Sequence, residues 1–392
     1  MKTIHYFIAI IFLIMFSCTE KQLEPITPSL GKPGKVEILG QEAIGGGVIV
    51  TYKIPTSEDI LSVKAVYTLS GGRTFESTAS YFENTLIIQG FNDKKEHEAK
   101  IYTVNRAQEM SDPVTLKFTP LEASYLKVAE SMGIIQDFGG AQFSWINEDK
   151  APLTFEFFAQ DSVGKLQAMR VINSSTDTMK LSLRGYQPDP PRWFGAVIRD
   201  FWDNATDTIF PPSMISPLLE EKIDKKPMSV MKLGNDQNFT NWEGMDQFII
   251  DDDMDTFGHS PNSSIPAPFT IDFSKKVKLS RFVFFNRNFN NSYYSWGNPK
   301  TFEVYVCFGT PSISGDWSEW TKIMDCIQVK PSGSAGTTQT DDDVAAAEAG
   351  FEFEVDLELP PVRYIRFVIT STWENTSFTH PCELDFYGVT AE

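Results

Sequence analysis

Gly45-Gly46-Gly47-Val48-Ile49-Val50-Thr51-Tyr52 decides how this chain is read. The glycines mark a turn or a close backbone approach. Behind them Val48, Val50, Tyr52 and Ile54 fall on one face, and Ile49, Thr51 and Lys53 on the other. That is the period of a half-buried strand. Working outward, Leu61, Val63, Ala65, Tyr67 and Leu69 alternate again, and Gly71-Gly72 turns the chain. Runs at 86–88, 99–104 and 114–118 follow. About seven short strands in under roughly a hundred residues match an immunoglobulin-like or fibronectin-like sandwich.

The opening stretch has an echo in Gly139-Gly140-Ala141-Gln142-Phe143-Ser144-Trp145. Gly46 and Gly139 lie 93 residues apart, Ser111-Asp112 and Thr206-Asp207 95, and Pro120-Leu121 and Pro217-Leu218 97. Three echoes in order at nearly one offset predict two sandwiches in tandem. The expected organisation is a signal segment at 1–17, a proline-bearing tether at 18–33, sandwiches at 34–120 and 121–232, and a third domain at 233–392. Residues 217–233, mixing Lys, Glu and Pro, read as the second linker, and 129–137 has no clear period. In the third domain, strands are expected at 269–273, 281–286, 301–308, 351–357 and 364–369. Asp341-Asp342-Asp343, followed by alanines and Gly350, predicts one short helix.

Composition narrows the function. Gly, Pro, Asn and Asp clusters between short apolar runs are the punctuation of an all-β chain. A net charge of −18 with no basic stripe argues against nucleic acid. Lys2 and the apolar run 4–16 read as a signal peptide, too short to span a bilayer comfortably. Ser17-Cys18 resembles the bacterial lipobox, with Met15 in place of the more usual Leu. This implies lipidation of Cys18 and a membrane contact through the lipid alone. Cys307, Cys326 and Cys382 form no CxxC pair, and histidine is scarce, which disfavours zinc. Whether Cys307 and Cys326 pair stays open at this point. No GxSxG, HExxH, Walker or GxGxxG motif is present, although acidic pairs leave a glycosidase dyad possible by count.

The most specific signal lies in the third domain. Asp251-Asp252-Asp253-Met254-Asp255-Thr256-Phe257 precedes His259-Ser260; then come Ile271-Asp272-Phe273, Phe302-Glu303-Val304-Tyr305, Trp320, Val362-Arg363-Tyr364-Ile365-Arg366 and Glu383-Leu384-Asp385-Phe386-Tyr387-Gly388. In this order, over about 236–389, the set resembles the coagulation-factor C-type, or discoidin, domain. The resemblance implies a jelly-roll sandwich of the galactose-binding-like class. It also implies a structural calcium, held by Asp251, Asp253 and Thr256 in the acidic loop and by Glu383 near the C-terminal strand. A calcium site needs many hard oxygens, and consecutive carboxylates repel one another unless a cation sits among them; a solvated acidic turn is the alternative. Asp252 stands where that family usually has Gly.

Glycan binding in such domains uses loops at one end, where rings stack on sugar faces and planar polar groups meet hydroxyls. Loop 286–299 offers Arg287, Asn288, Tyr293, Tyr294 and Trp296, and loop 370–381 offers Trp373, Phe378 and His380. His259 and Arg287 fall at the resemblance's sugar-contacting positions, while Gly258 replaces a tryptophan. One or two of these rings are expected to be core plugs instead.

The whole architecture resembles surface lipoproteins of Bacteroidota polysaccharide-utilisation systems, on Ser62-Val63-Lys64-Ala65-Val66-Tyr67, Asp137-Phe138-Gly139-Gly140, Arg199-Asp200-Phe201-Trp202-Asp203-Asn204 and Trp296-Gly297-Asn298-Pro299-Lys300. The expectation is a non-catalytic glycan-binding lipoprotein of the outer membrane. It would retain polysaccharide for degrading enzymes, other surface lipoproteins and an importer. The alternatives are a structural or protein-binding component of a surface complex and a cryptic glycoside hydrolase.

Overall fold

The computed structural model describes residues 28, 30–57 and 59–391. The signal segment, Cys18 and most of the stretch read as a tether lie outside them. Among the described residues no helix is long and apolar enough to cross a membrane.

The first sandwich contains β1 (Glu37–Ile44), β2 (Gly47–Lys53), β3 (Ile60–Thr68), β4 (Thr74–Ser80), β5 (Thr85–Gln89), β6 (His97–Asn105) and β7 (Val114–Phe118). Its two sheets run β1-β2-β5 and β4-β3-β6-β7. The alternation seen in the sequence is the burial pattern: Val48, Val50 and Tyr52 face Val63, Ala65 and Tyr67 across the core.

The second sandwich opens with α1 (Ser124–Ser131), then β8 (Gly133–Asp137), β9 (Gly140–Ile146), β10 (Leu153–Gln160), β11 (Leu166–Ser174), β12 (Thr178–Leu183) and β13 (Phe194–Arg199). Its sheets run β12-β9-β8 and β11-β10-β13. Helix α1 was not foreseen; one turn brings Tyr125 and Val128 onto the core, too short a pattern to show a period.

The echoes between the two sandwiches are matched backbone devices. Gly46 and Gly139 both adopt φ +62°. Gly46 donates its N–H to the Leu121 carbonyl, and Gly139 to that of Leu218. A Cβ at Gly47 would lie 2.1 Å from the Ile88 carbonyl oxygen, and at Gly140 1.7 Å from that of Leu183. Ser111 exchanges bonds with Thr103, its Oγ accepting the Thr103 N–H, and Thr206 does the same with Ile198. Each glycine pair therefore closes a hairpin against the chain's exit from its own sandwich.

The two sandwiches are latched together. The Trp202 ring fills the space over Gly90, where a Cβ would come within 2.7 Å of it. Asn204 Nδ2 donates to the Gly90 carbonyl (2.9 Å), and Arg73 donates to that of Trp202 (2.9 Å). Trp202→Ala is expected to uncouple the pair, splitting one calorimetric transition into two and costing about 1–3 kcal/mol of the first sandwich's stability. An unchanged single transition would show that the latch does not couple them.

The third sandwich contains β14 (Glu221–Lys222), β15 (Ser229–Met231), β16 (Ala267–Phe285), β17 (Pro299–Cys307), β18 (Thr321–Ile327), α2 (Asp341–Ala349), β19 (Phe351–Glu354), β20 (Val362–Thr372) and β21 (Glu383–Thr390). The order is β14-β21-β16-β20-β17-β18, with β15 and β19 also on β16. Two strands expected at 269–273 and 281–286 are one. Near Val277, β16 changes its partner from β20 to β21, so a single strand serves both faces of the jelly roll. Phe269, Phe282, Phe284, Phe302, Phe367 and Phe386 fill the space between the faces. The expected helix is α2, with a Thr340–Asp343 capping box and Gly350 at φ +82°. Residues 217–233 are not a free linker, since β14 and β15 belong to this sheet. Cys326 lies opposite Phe302 rather than Cys307, and both thiols are free and buried.

Candidate glycan-binding tip

Three loops meet at one end of the third sandwich: the segment before β16, the β16–β17 loop and the β20–β21 loop. Backbone bonds weld them. Gly258 donates to the Pro381 carbonyl, Ser260 to that of Thr379, and His380 to that of Gly297. The Gly297 N–H returns to His380 Nε2 at 3.0 Å. Asn298, fully buried, organises the β16–β17 loop: its Oδ1 accepts the Arg287 N–H, and its Nδ2 donates to the carbonyls of Arg287 and Tyr293. Loops tied this way present side chains at a reduced ordering cost on binding.

The tip collects aromatic and polar groups. His259 stacks on Phe378 with centroids 5.0 Å apart, and Trp296 lies 6.3 Å from Phe378 and 4.9 Å from Phe289. Arg287 places its guanidinium carbon 3.6 Å over Phe257 and 4.8 Å over Phe289. Among the described residues that guanidinium has no hydrogen bond or ion pair. Trp296 is 46 % exposed. Sequence reasoning missed Trp242, which is 86 % exposed and lies 6.3 Å from the His259 ring. At Gly258 a Cβ already meets Phe239 and Ile249 at 3.0 Å, leaving no room for a tryptophan there.

His259 Nδ1 is 2.8 Å from the Ser260 carbonyl, which assigns the proton to Nδ1 and leaves Nε2 as an acceptor. Burial lowers the His259 pKa, and Arg287 lowers it further against the Ser260 bond, so the ring is neutral at pH 7. Burial pushes His380 down to about 3. The tip thus joins a neutral imidazole acceptor, an uncommitted guanidinium donor and two exposed indoles.

The other candidates sit elsewhere. Tyr294 is a core plug with 0 % exposure, its hydroxyl donating to the Asp343 carbonyl at 2.7 Å. Trp373 meets Tyr294 edge-on at 4.8 Å, and Tyr293 packs into the same cluster with Phe351 against α2. Tyr294 is therefore a packing residue rather than a binding one, while Tyr293 and Trp373 are half-buried against it. Asn288 is exposed, with its side chain hydrogen-bonded to Tyr293.

The acidic loop keeps the turn a glycine would make, with Asp252 at φ +64°. Its carboxylate oxygens are engaged by donors of the chain itself. Lys225 Nζ stands 2.7 Å from Glu383, 2.9 Å from Asp252 and 2.6 Å from Asp385. Glu383 Oε2 accepts the N–H groups of Asp251 and Asp252. Thr256 Oγ1 donates to Asp251 (2.9 Å), and Asp253 accepts the Asp255 N–H. The carboxylates proposed as ligands are therefore spent on backbone, hydroxyl and ammonium donors. Among the described residues no three acidic, histidine or cysteine side chains converge on a metal position. Burial pushes the Glu383 carboxyl up, while Lys225 and the Leu384 and Asp252 N–H groups pull it back.

Three family models, each described as a domain of unknown function, match residues 33–120, 121–226 and 235–388. No curated protein matches the chain. Among solved structures, the C-terminal domain of a chitobiase from Bacteroides fragilis is 18 % identical, covering 44 % of this chain and 100 % of that one (TM-score 0.31). A family 31 glycoside hydrolase module, CBM32-2, bound to GalNAc, is 12 % identical, covering 41 % and 97 % (TM-score 0.29). A SusE-like protein is 30 % identical, with 68 % of this chain and 100 % of that chain covered (TM-score 0.45). With identity at that level along that protein's full length, the chain belongs to the SusE-like family.

Proposed function

We propose that this chain is a non-catalytic glycan-binding protein of the cell surface that takes oligosaccharide or polysaccharide at the tip of its third sandwich. The observation that carries the reading is the Arg287 guanidinium. It lies on the Phe257 and Phe289 ring faces with no acceptor among the described residues, in a ring cluster that runs from Phe289 to Trp296 and Phe378 and from Phe378 to His259 and Trp242. A partly buried cation without an acceptor is costly unless a ligand oxygen supplies one. A sugar ring offers hydroxyls to Arg287 and to His259 Nε2, and an apolar face to the indoles. Affinity per site is modest, because a shallow platform buries little area.

Lipidated Cys18 would anchor the chain, and the two leading sandwiches would hold the tip away from the membrane. Work beside other surface lipoproteins and an outer-membrane importer belongs to the same proposal, and rests on the resemblance in sequence to surface lipoproteins of polysaccharide-utilisation systems. A protein-binding role is favoured by one feature: β11 is a sheet edge with Met169 and Val171 more than half exposed, open to strand pairing.

A glycan array on the mature chain, followed by titration calorimetry on each hit, tests the reading. The expected result is binding to a restricted set of glycans without release of reducing ends. Absence of any glycan ligand for folded protein would refute it.

A further inference from the structure

We propose that Lys225 is the resident cation of the acidic loop: its ammonium neutralises the carboxylates gathered beside Glu383 and makes the third sandwich independent of calcium. This does not depend on the glycan reading. Lys225 Nζ lies within 2.9 Å of one oxygen each from Asp252, Glu383 and Asp385, and the side chain is 3 % exposed. Lys222 adds a second ammonium, 2.9 Å from both Asp252 and Asp385.

An ordered turn delivers this ammonium. Ile223 on one side is buried and bonded to the Phe386 carbonyl; Met228 on the other is buried, with its N–H on the Lys225 carbonyl. The segment read as a linker therefore carries a structural charge into the sandwich.

The charges explain why the two cations exclude each other. Three carboxylates against two ammoniums leave little net charge, so a dication would meet strong repulsion from a buried lysine. The three oxygens stand 2.6, 2.7 and 2.9 Å from the ammonium nitrogen, the spacing of charged hydrogen bonds and mostly longer than the ~2.3–2.6 Å a calcium ion takes from its ligands. Removing the ammonium leaves three carboxylates repelling one another, a charge that a hard dication offsets once their oxygens close in on it by a few tenths of an ångström. Lys225 also positions the loop leading to Phe257, because the Glu383 that it holds by Oε1 grips the Asp251 and Asp252 N–H groups by Oε2.

The test is thermal unfolding of the full chain in millimolar calcium and in EDTA, with Lys225→Met and Lys225→Arg as variants. The wild type should melt at the same temperature in both buffers. Lys225→Met should lose roughly 6–15 °C in EDTA, and calcium should return most of that loss. Lys225→Arg should remain insensitive to calcium. Should Lys225→Met fail to fold, calcium calorimetry on the wild type decides alone: no stoichiometric heat is expected. A calcium-stabilised wild type, or a Lys225→Met variant as stable as wild type in EDTA, would overturn the assignment.

Discussion

Arg366→Ala is expected to lower the melting temperature of the third sandwich by roughly 6–15 °C. Arg366 sits in the middle of β20 with no exposed surface, paired at 2.6 Å with Asp236, which is equally buried. Its guanidinium also reaches the Gly315 carbonyl and Asn235, and it lies 4.1 Å over Trp317. Truncation leaves the Asp236 carboxylate buried without its cation, and breaking such a pair costs about 3–5 kcal/mol. The cost comes from stranding one charge rather than from a large net benefit of the pair. Arg366→Met combined with Asp236→Asn should therefore recover at least half of the lost stability, since no buried charge remains. Calorimetry on the single and double variants reads the difference directly. If the double variant is as unstable as Arg366→Ala, packing against Trp317 and Trp320 outweighs the charge, and the argument from desolvation fails.

What the sequence disclosed follows from which constraints act on the backbone. The glycine pairs at 46–47 and 139–140 were legible because no other residue tolerates both the positive φ and the carbonyl contact behind it. The Ser111 and Thr206 echoes were legible because a hydroxyl at that point closes the same backbone pair in each sandwich. Direction of side chains is another matter. Tyr294 and Trp296 are two residues apart in a loop, yet one is sealed under α2 and the other stands in solvent. Loop residues follow no period, so no pattern separates a plug from a platform. Trp242 escaped notice because it falls outside any strand, although an indole between Asn241 and Glu243-Gly244 is a signal in itself: a polar, glycine-marked loop has no core to put it in. Lys225 was hidden by composition, since Lys, Glu and Pro together read as a solvated linker. Only the pairing of β14 and β15 turns that stretch inward.

Trp296→Ala should weaken glycan binding by roughly 30-fold, about 2 kcal/mol, the scale of a central aromatic anchor. Trp242→Ala should cost less, about fivefold, because its ring is 86 % exposed and less supported than one packed at 4.9 Å on Phe289. Arg287→Lys is the sharper probe. It keeps the charge but loses the planar fork, so an affinity loss near that of Arg287→Met would show that paired hydrogen bonds to adjacent hydroxyls matter and charge does not. Both Arg287 variants are expected about 10–100-fold weaker than wild type, from charged hydrogen bonds of about 1.5–3 kcal/mol. Tyr294→Phe is the control: it removes the bond to the Asp343 carbonyl, lowering stability by about 1 kcal/mol while leaving affinity unchanged. Titration calorimetry on the four sites separates the tip from the α2 cluster. An affinity loss for Tyr294→Phe equal to that for Trp296→Ala would mean the sugar lies against α2, and the ring set around His259 would then serve only to weld the loops.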